Sequence, residues 1–157
     1  MNIRPVTDAD FPRLSGIYTD AYNVLKIGEE WTPPTAEKLL RHLYDAQPDL
    51  FFVIEMDGVV VGAVNALVKP WWDGNHITDG EIFVDPKQQG KGIGKALLKH
   101  LFVQAKQLYQ AVAWDTFTHV VHEHPLSWYK ELGFEEIKEW TMITGDIEKV
   151  LDNLEKK

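Results

Sequence analysis

The sequence predicts an α+β domain with a mixed, mostly antiparallel sheet, and three observations support this fold class. Two β-rich runs, 50–55 and 59–68, are joined by Asp57-Gly58, a dipeptide that favours a tight hairpin turn. Strand and helix patterns alternate only in the second half of the chain. A length of 157 residues suits one hydrophobic core, so a single domain over 1–157 is expected.

Hydrophobic spacing and chain breakers define the elements of the first half. A short strand is predicted over 3–6, followed by a helix that Asp8 and Asp10 can cap. A second helix is expected to open at Thr35, without a full capping box, and to stop before Pro48. The two strands of the hairpin come next. Pro70, Trp71, Trp72 and Gly74 predict a loop over 69–76. A strand is then predicted over 81–84.

The second half begins with a glycine-rich segment that leads into a helix over 92–110. The residues of this helix expected to be buried are Ala96, Leu97, Leu101, Ala105 and Leu108. Further predicted elements are a strand over 112–117, a short helix over 125–132 that Gly133 ends, a strand over 137–143 and a terminal helix over 146–154.

Composition narrows the classes of function. The formal net charge of −8 argues against a nucleic-acid-binding surface, which needs many cationic side chains. The chain has no cysteine, which excludes disulfides, thiolate metal sites and a cysteine nucleophile, and fits a reducing cytoplasm. No apolar run approaches the roughly 20 residues of a membrane span, and no secretory signal is recognised. A cytoplasmic protein that binds neither nucleic acid nor membrane is therefore expected.

The segment 89–94, Gln-Gly-Lys-Gly-Ile-Gly, is the most informative feature of the sequence. It connects a predicted strand to a predicted helix, so its backbone N–H groups lie at a helix N-terminus, which favours an anion such as pyrophosphate. The dinucleotide pattern G-x-G-x-x-G is not met. A Walker loop is also excluded. That loop has Ser or Thr after its Gly-Lys pair, whereas Gly90-Lys91 is followed by Gly92.

This segment resembles the Q/R-x-x-G-x-G/A signature of the GNAT acetyltransferase superfamily. Gln89, Gly92 and Gly94 occupy the named positions, and Val84-Asp85-Pro86 matches the valine-x-proline that the family has before the signature. The resemblance implies a sheet splayed where acetyl-CoA enters, helices on both faces, and acetyl-CoA as co-substrate. The residues that it implies for cofactor binding are Phe83, Val84, Gln89, Gly90, Lys91, Gly92, Ile93, Gly94, Lys95 and His122.

A second segment, 124–134, resembles the family's short helix with an aromatic-tyrosine pair that ends in Gly-Phe. Tyr129 matches the tyrosine that in many relatives protonates the departing CoA thiolate, a role that suits a phenol. The alternative, a packed core tyrosine, stays open. His122 stands near the position where the family often has a cofactor-binding asparagine. His119, Glu123 and His124 surround it, but their spacing is weak for metal ligands, and no metal is expected.

The resemblance also implies a carboxylate base on the strand before the glycine-rich segment. Asp79 and Glu81 are two residues apart, so on a continuous strand they share a face. Glu81 is preferred because it lies more securely within the strand. A solvent-facing carboxylate, or a base acting through water, remains an alternative.

The resemblance implies which segments shape the acceptor side, and their aromatic and acidic residues predict a primary amine of a small molecule or peptide as acceptor. These residues are Tyr22, Glu29, Glu30, Trp31, Trp71, Trp72, Asp73 and His76. The amine is expected to attack acetyl-CoA directly in a ternary complex. The same residues suit a homodimer interface, and both interpretations stay open. Two rival functions are a catalytically silent acyl-CoA-binding regulator of the same fold and a nucleotide-binding module of another fold.

Overall fold

The computed structural model describes residues 1–155 of the chain. Its helices and strands are β1 (Asn2–Pro5), α1 (Phe11–Asn23), α2 (Pro33–Ala46), β2 (Phe51–Met56), β3 (Val59–Asn65), β4 (Leu67–Trp71), β5 (Gly74–Thr78), β6 (Ile82–Val84), α3 (Ile93–Tyr109), β7 (Ala113–Trp114), α4 (Leu126–Glu131) and α5 (Ile147–Glu155). The chain forms two compact units that divide after Phe117. A single domain over 1–157 stays a prediction.

The first unit contains two sheets, with strand orders β1-β2-β3-β6 and β4-β5-β7. Every pair is antiparallel except β5 and β7, which run parallel, so the predicted mixed, mostly antiparallel α+β fold is confirmed. β3 continues into β4 through Ala66, whereas the chain between β5 and β6 turns at Asp79, whose φ is +48°. The two sheets therefore separate between β3 and β4 on one side and β5 and β6 on the other.

Alternating side chains of the four-stranded sheet divide its two faces between the helices. Phe51, Val53, Ala63 and Phe83 join the buried cluster that α1 and α2 supply. Phe52, on the opposite face, contacts His100 of α3 edge to face, with ring centroids 4.5 Å apart. Because successive residues of a strand point to opposite faces, α1 and α2 cover one face and α3 covers the other.

The prediction of a loop over 69–76 is wrong, because this segment forms most of the β4–β5 hairpin. The ladder runs from Leu67 opposite Thr78 to Trp71 opposite Gly74, with only two residues left for the turn. Pro70 suggested a chain break, but β4 is an edge strand, where a missing backbone N–H costs no ladder hydrogen bond.

The start of α2 also differs from the prediction. Thr32 is the N-cap, and it exchanges hydrogen bonds with Thr35 in a complete capping box, while Pro33 and Pro34 occupy the first turn. A threonine hydroxyl takes the place of the usual Glu or Gln side chain, and proline is well suited to the first helical position because its missing N–H has no partner there anyway.

Two other predicted features differ in the structure. Leu108 is 54% exposed, because the buried residues of α3 end at Ala105, one turn before the helix ends. Within the described residues, no strand covers 137–143, and Ile137, Trp140 and Ile143 are exposed. These residue types favour a strand, but a strand forms only when it pairs with a neighbouring strand, and no such pairing is present over 137–143 in the described residues.

The second unit contains α4 and α5. Gly133 follows α4 with a φ of +96°, the left-handed conformation predicted for the residue that ends this helix. Asp146 begins α5 by accepting a hydrogen bond from the backbone N–H of Lys149 at 2.9 Å. Of the helices in residues 1–155, none has the length and apolar character needed to cross a membrane.

Candidate active site

The glycine turn, residues 85–92, links the end of β6 to the start of α3. Gly90 and Gly92 both have a φ of +77°, in the left-handed region that other residues seldom adopt. A Cβ atom built at either glycine would meet nothing within 4 Å. The glycines are therefore needed for the backbone conformation, and the space beside them is open for a ligand to approach the backbone closely.

An ion pair holds the beginning of this turn against α1. Arg13 Nη2 lies 2.7 Å from Asp85 Oδ2, and Arg13 Nε donates to the backbone carbonyl of Val60 at 3.2 Å. The other carboxylate oxygen of Asp85 accepts from the backbone N–H of Lys87 at 3.0 Å. Asp85 thus stabilises the turn through Lys87 and connects it, through Arg13, to α1 and to β3.

Two further side chains shape the glycine turn. Gln89 folds back so that its Nε2 donates to the carbonyl oxygen of Val84 at 3.2 Å, and Lys91 donates to Gln88 at 2.7 Å. Ile93 is 1% exposed and anchors the first residue of α3 in the core, whereas Lys95 is exposed. Gly94 is the second residue of α3. The sequence-predicted cofactor residues of this turn therefore lie together at one helix N-terminus.

The N-terminus of α3 has the properties of an anion site. In the described part of the chain, no side chain caps this helix, whose N-cap residue is Gly92. The first N–H groups of a helix have no partner inside it, and the helix dipole adds partial positive charge at the same end. A pyrophosphate group fits this end in charge, in hydrogen-bonding capacity and in available space.

The hydrogen-bond pattern of β6 distinguishes Val84 from Phe83. The N–H of Asp85 donates to Val61 at 2.8 Å, and that of Asn65 donates to Glu81 at 3.0 Å. Because bonded pairs alternate along an antiparallel ladder, the backbone of Phe83 is directed toward β3 and that of Val84 toward the other side of β6. β6 is an edge strand of the four-stranded sheet, so the outward N–H of Val84 is available to a ligand, whereas its carbonyl oxygen accepts from Gln89. Phe83 is 3% exposed in the core.

Glu81 lies directly before β6 and is partly buried. Its carboxylate accepts a hydrogen bond from the phenol of Tyr22 on α1. Burial raises the pKa of Glu81 above its ordinary value, although hydrogen bonds from Tyr22 and Tyr18 oppose this shift and the nearby negative charge of Glu29 adds to it. A partly buried carboxylate with a raised pKa is a candidate for a general base.

Asp79 and Glu81 do not lie on one continuous strand, the condition under which they would share a face, and Glu81 lies just outside the strand predicted over 81–84. The positive φ of Asp79 turns the chain, and β6 begins only at Ile82. Asp79 is exposed and accepts a hydrogen bond from Thr78, whereas Glu81 turns inward to Tyr22. Backbone conformation therefore separates two carboxylates that sequence spacing had placed together.

An aromatic and acidic cluster surrounds Glu81. Tyr18 stacks on Tyr22 with ring centroids 4.3 Å apart and meets Trp31 edge to face at 5.1 Å. Trp31 donates from its ring nitrogen to Glu29 at 2.7 Å. Glu29 and the exposed Glu30 belong to the loop between α1 and α2. Three of the predicted acceptor-side residues, Tyr22, Glu29 and Trp31, are thus assembled beside the candidate base.

Trp71, Trp72 and Asp73 lie at the tip of the β4–β5 hairpin, roughly 13 Å along β4 from Leu67, and His76 lies halfway along the ladder, opposite Lys69. Trp72 is 86% exposed, and Lys69 Nζ lies 3.9 Å from the ring centroid of Trp71. His76 is buried between Asp115, 2.7 Å from Nδ1, and Asp73, 2.9 Å from Nε2. The hydrogen bond to Asp115 raises the pKa of His76. Through its two ring nitrogens, His76 connects the hairpin turn at Asp73 to Asp115, which follows β7.

Tyr129 and His122 belong to the second unit. Tyr129 lies on α4 and is 8% exposed; its ring contacts Phe134 edge to face at 5.1 Å. His122 is exposed, with its ring centroid 5.6 Å from that of His119. Residues 1–155 contain no group of three or more His, Asp or Glu side chains arranged to hold a metal ion.

Three residues that belong to the site were not identified from the sequence. Tyr18 was interpreted only as part of the buried stripe of α1, although its i, i+4 spacing from Tyr22 places both phenols on one face. Arg13 and Asn65 carry no local signal, because their partners, Asp85 and Glu81, are distant in the sequence.

Comparison with known proteins agrees with this geometry. Residues 12–134 match the model of the Acetyltransferase (GNAT) family. An uncharacterized N-acetyltransferase of Methanocaldococcus jannaschii is 31% identical over 150 residues, covering 88% of this chain; the chain spans 63% of that relative's length.

Two solved structures share the fold. An aminoglycoside 6′-N-acetyltransferase of Acinetobacter haemolyticus has a TM-score of 0.71 at 15% identity and covers 94% of this chain and 99% of its own. A predicted acetyltransferase of Clostridium acetobutylicum, solved with acetyl-CoA, has a TM-score of 0.68 at 17% identity and covers 91% and 95%. With the glycine turn, the splayed sheets and the matched residues, these findings show that the chain belongs to the GNAT acetyltransferase family.

Proposed function

We propose that this chain is an acetyl-CoA-dependent N-acetyltransferase that acetylates a primary amine of a small molecule or peptide by direct transfer in a ternary complex. The observation that carries the proposal is the arrangement around β6. A partly buried carboxylate, Glu81, precedes this three-residue strand, and the glycine turn follows it. A proton acceptor and an anion site thus flank one short edge strand.

The cofactor side of the proposal rests on the glycine turn and α3. Backbone N–H groups of residues 90–95 would hold the pyrophosphate, with Lys91 and Lys95 adding positive charge at the rim. The outward backbone N–H of Val84 would donate to the thioester carbonyl and polarise it. Phe83 would support this strand from the core, and His122 is our further candidate for a cofactor contact.

The acceptor side rests on Glu81. An ammonium group cannot attack a thioester, so the amine must first lose a proton, directly or through water. Burial raises the pKa of Glu81 above its ordinary value, which makes its carboxylate a better proton acceptor. Glu29 adds a second negative charge that would draw a cationic amine toward the site.

The departure of CoA requires a proton on sulfur when the carbon–sulfur bond breaks. The phenol of Tyr129 is our candidate for this donor, and it would recover its proton from solvent after each turnover. The chain contains no cysteine, which excludes an acyl-thioester on the enzyme and leaves direct attack by the amine as the simplest route. A cytoplasmic location and a homodimer stay predictions.

The test is product identification by mass spectrometry after incubation with acetyl-CoA and a mixture of amines, amino acids, aminoglycosides and peptides. We expect N-acetylated products and stoichiometric release of CoA. Salt should weaken acceptor capture at low acceptor concentration, with less effect at saturation, because it screens the attraction of the carboxylates. Only O- or S-acetylated products would contradict the amine assignment. Cofactor binding without any turnover would favour the regulatory alternative.

A further inference from the structure

Glu81 is held at its backbone and at its side chain by different elements. Its backbone carbonyl accepts from the N–H of Asn65 at 3.0 Å, and its own N–H donates to Asn65 Oδ1 at 3.4 Å. Its carboxylate, in contrast, is bonded to Tyr22 of α1. A glutamate has three rotatable side-chain bonds, so the bond to Tyr22 selects among orientations that the backbone contacts leave open.

Tyr22 is itself kept in place by a rigid neighbour. Its ring stacks on that of Tyr18 with an interplanar angle of 23°, and Tyr18 is 2% exposed. Tyr18 is fixed in turn by edge-to-face contacts with Trp31 and Phe83, each with centroids 5.1 Å apart. The phenol of Tyr22 that bonds Glu81 therefore belongs to a group of packed aromatic rings that connects α1 to β6.

The charged and titratable groups around Glu81 act in opposite directions. Tyr22 and Tyr18, both from α1, donate hydrogen bonds that favour the carboxylate, while Glu29 of the following loop disfavours it by repulsion. Burial, the largest effect, also disfavours the charged form. Without the phenols, the neutral acid would be favoured over a wider pH range.

We infer that Tyr22 is a positioning residue for Glu81: its phenol holds the carboxylate in one orientation and keeps it in the ionised form that accepts a proton. This inference rests on the proposed role of Glu81 in deprotonating the acceptor amine. Tyr22 does not exchange the proton itself in this scheme. It determines where the accepting oxygen lies and the lowest pH at which that oxygen is available.

The first test measures Glu81 without relying on catalysis. A ¹³C NMR titration of the Glu81 carboxyl, assigned by its absence in Glu81→Gln, is compared in the wild type, in Tyr22→Phe and in Tyr44→Phe. Tyr22→Phe keeps the ring stack and should raise the titration midpoint by roughly one to two pH units, the equivalent of a lost hydrogen bond to a charged group. Tyr44, which packs on Phe11 and Phe51 in the core, supplies the matched loss of a phenol. A midpoint that is equal in all three proteins would overturn the inference.

The second test measures acetyl transfer as a function of pH. Tyr22→Phe should lower kcat by roughly ten-fold to a hundred-fold near neutral pH, with little change in the KM for acetyl-CoA, and the rate should recover at higher pH as Glu81 ionises. An unchanged pH profile, in an enzyme that Glu81→Gln inactivates, would overturn the positioning role. Full activity in Glu81→Gln would instead remove the base of the proposed function, while a shifted NMR midpoint would still establish the bond between Tyr22 and Glu81.

Discussion

Gly58 and Gly92 have the same backbone conformation at two turns with different surroundings. Their φ angles are +76° and +77°, and an added Cβ at either position would meet nothing within 4 Å. Gly58 forms the β2–β3 hairpin turn with Asp57, and Gly92 is the N-cap of α3. A substitution at Gly58 should therefore cause the same backbone strain as one at Gly92. Only Gly92 lies where a pyrophosphate is proposed to bind.

This pair provides the test of the cofactor site. Gly58→Ala and Gly92→Ala should each destabilise the protein by roughly 1–2 kcal/mol, because both place a Cβ in the left-handed region. Acetyl-CoA should raise the Tm of the wild type and of Gly58→Ala by mass action, but the increase should shrink sharply in Gly92→Ala and disappear with a bulkier residue at 92. Equal increases in all of these proteins would rule out the glycine turn as the pyrophosphate site.

Tyr129→Phe tests the proposed acid. The substitution keeps the ring against Phe134 and removes only the hydroxyl, and a Tm measurement checks that the variant stays folded. Turnover should fall by roughly 10²–10⁴-fold if the phenol protonates the CoA thiolate. Tyr44→Phe, measured in parallel, controls for the loss of a phenol elsewhere. A decrease of less than a few-fold for Tyr129→Phe would assign Tyr129 to packing, with water as the proton source.

Glu81→Gln and Asp79→Asn compare the two carboxylates that the structure separates. The rate should fall in the wild type as pH decreases through the raised pKa of Glu81, because the protonated acid cannot accept a proton. Glu81→Gln should remove this limb of the pH profile and lower turnover, whereas Asp79→Asn should retain it, since Asp79 is exposed and bonded to Thr78. The opposite result would transfer the role of base to Asp79.

Asp10 provides a test of stability outside the site. Its carboxylate accepts hydrogen bonds from Arg4 Nη1 at 2.7 Å and from Nη2 at 2.8 Å, and these bonds lower its pKa from 3.8 to about 2. A group whose pKa is lower in the folded state stabilises the protein at pH values above its pKa in the unfolded state. This stabilisation is lost as the pH falls through its pKa in the folded state. Asp10→Asn should therefore cost roughly 2 kcal/mol at neutral pH and little at pH 2.

Urea unfolding at several pH values measures this difference. The matched control is Asp8→Asn, because the Asp8 side chain is 86% exposed and its ion pair with Arg41 lies at the surface. A cost that does not change between pH 7 and pH 2 would show that Asp10 contributes through packing or capping instead of charge.

The sequence by itself determined the features that depend on a few consecutive residues. The hairpin at Asp57-Gly58, the left-handed Gly133 after α4 and the glycine turn before α3 were all predicted, because positive φ angles and helix termini have local causes. The fold class followed from the order of these elements, and the resemblance to the GNAT family followed from the same short motifs.

Only the tertiary structure decided which side chains meet. Tyr22 and Glu81 are 59 residues apart, and neither spacing nor composition relates them. Pro70 lies in a strand because that strand is at an edge, and Asp79 turns away from Glu81 because its own φ is positive. Such outcomes depend on ladders and packing between distant segments, and these long-range contacts determine where a carboxylate lies and how strongly it holds a proton.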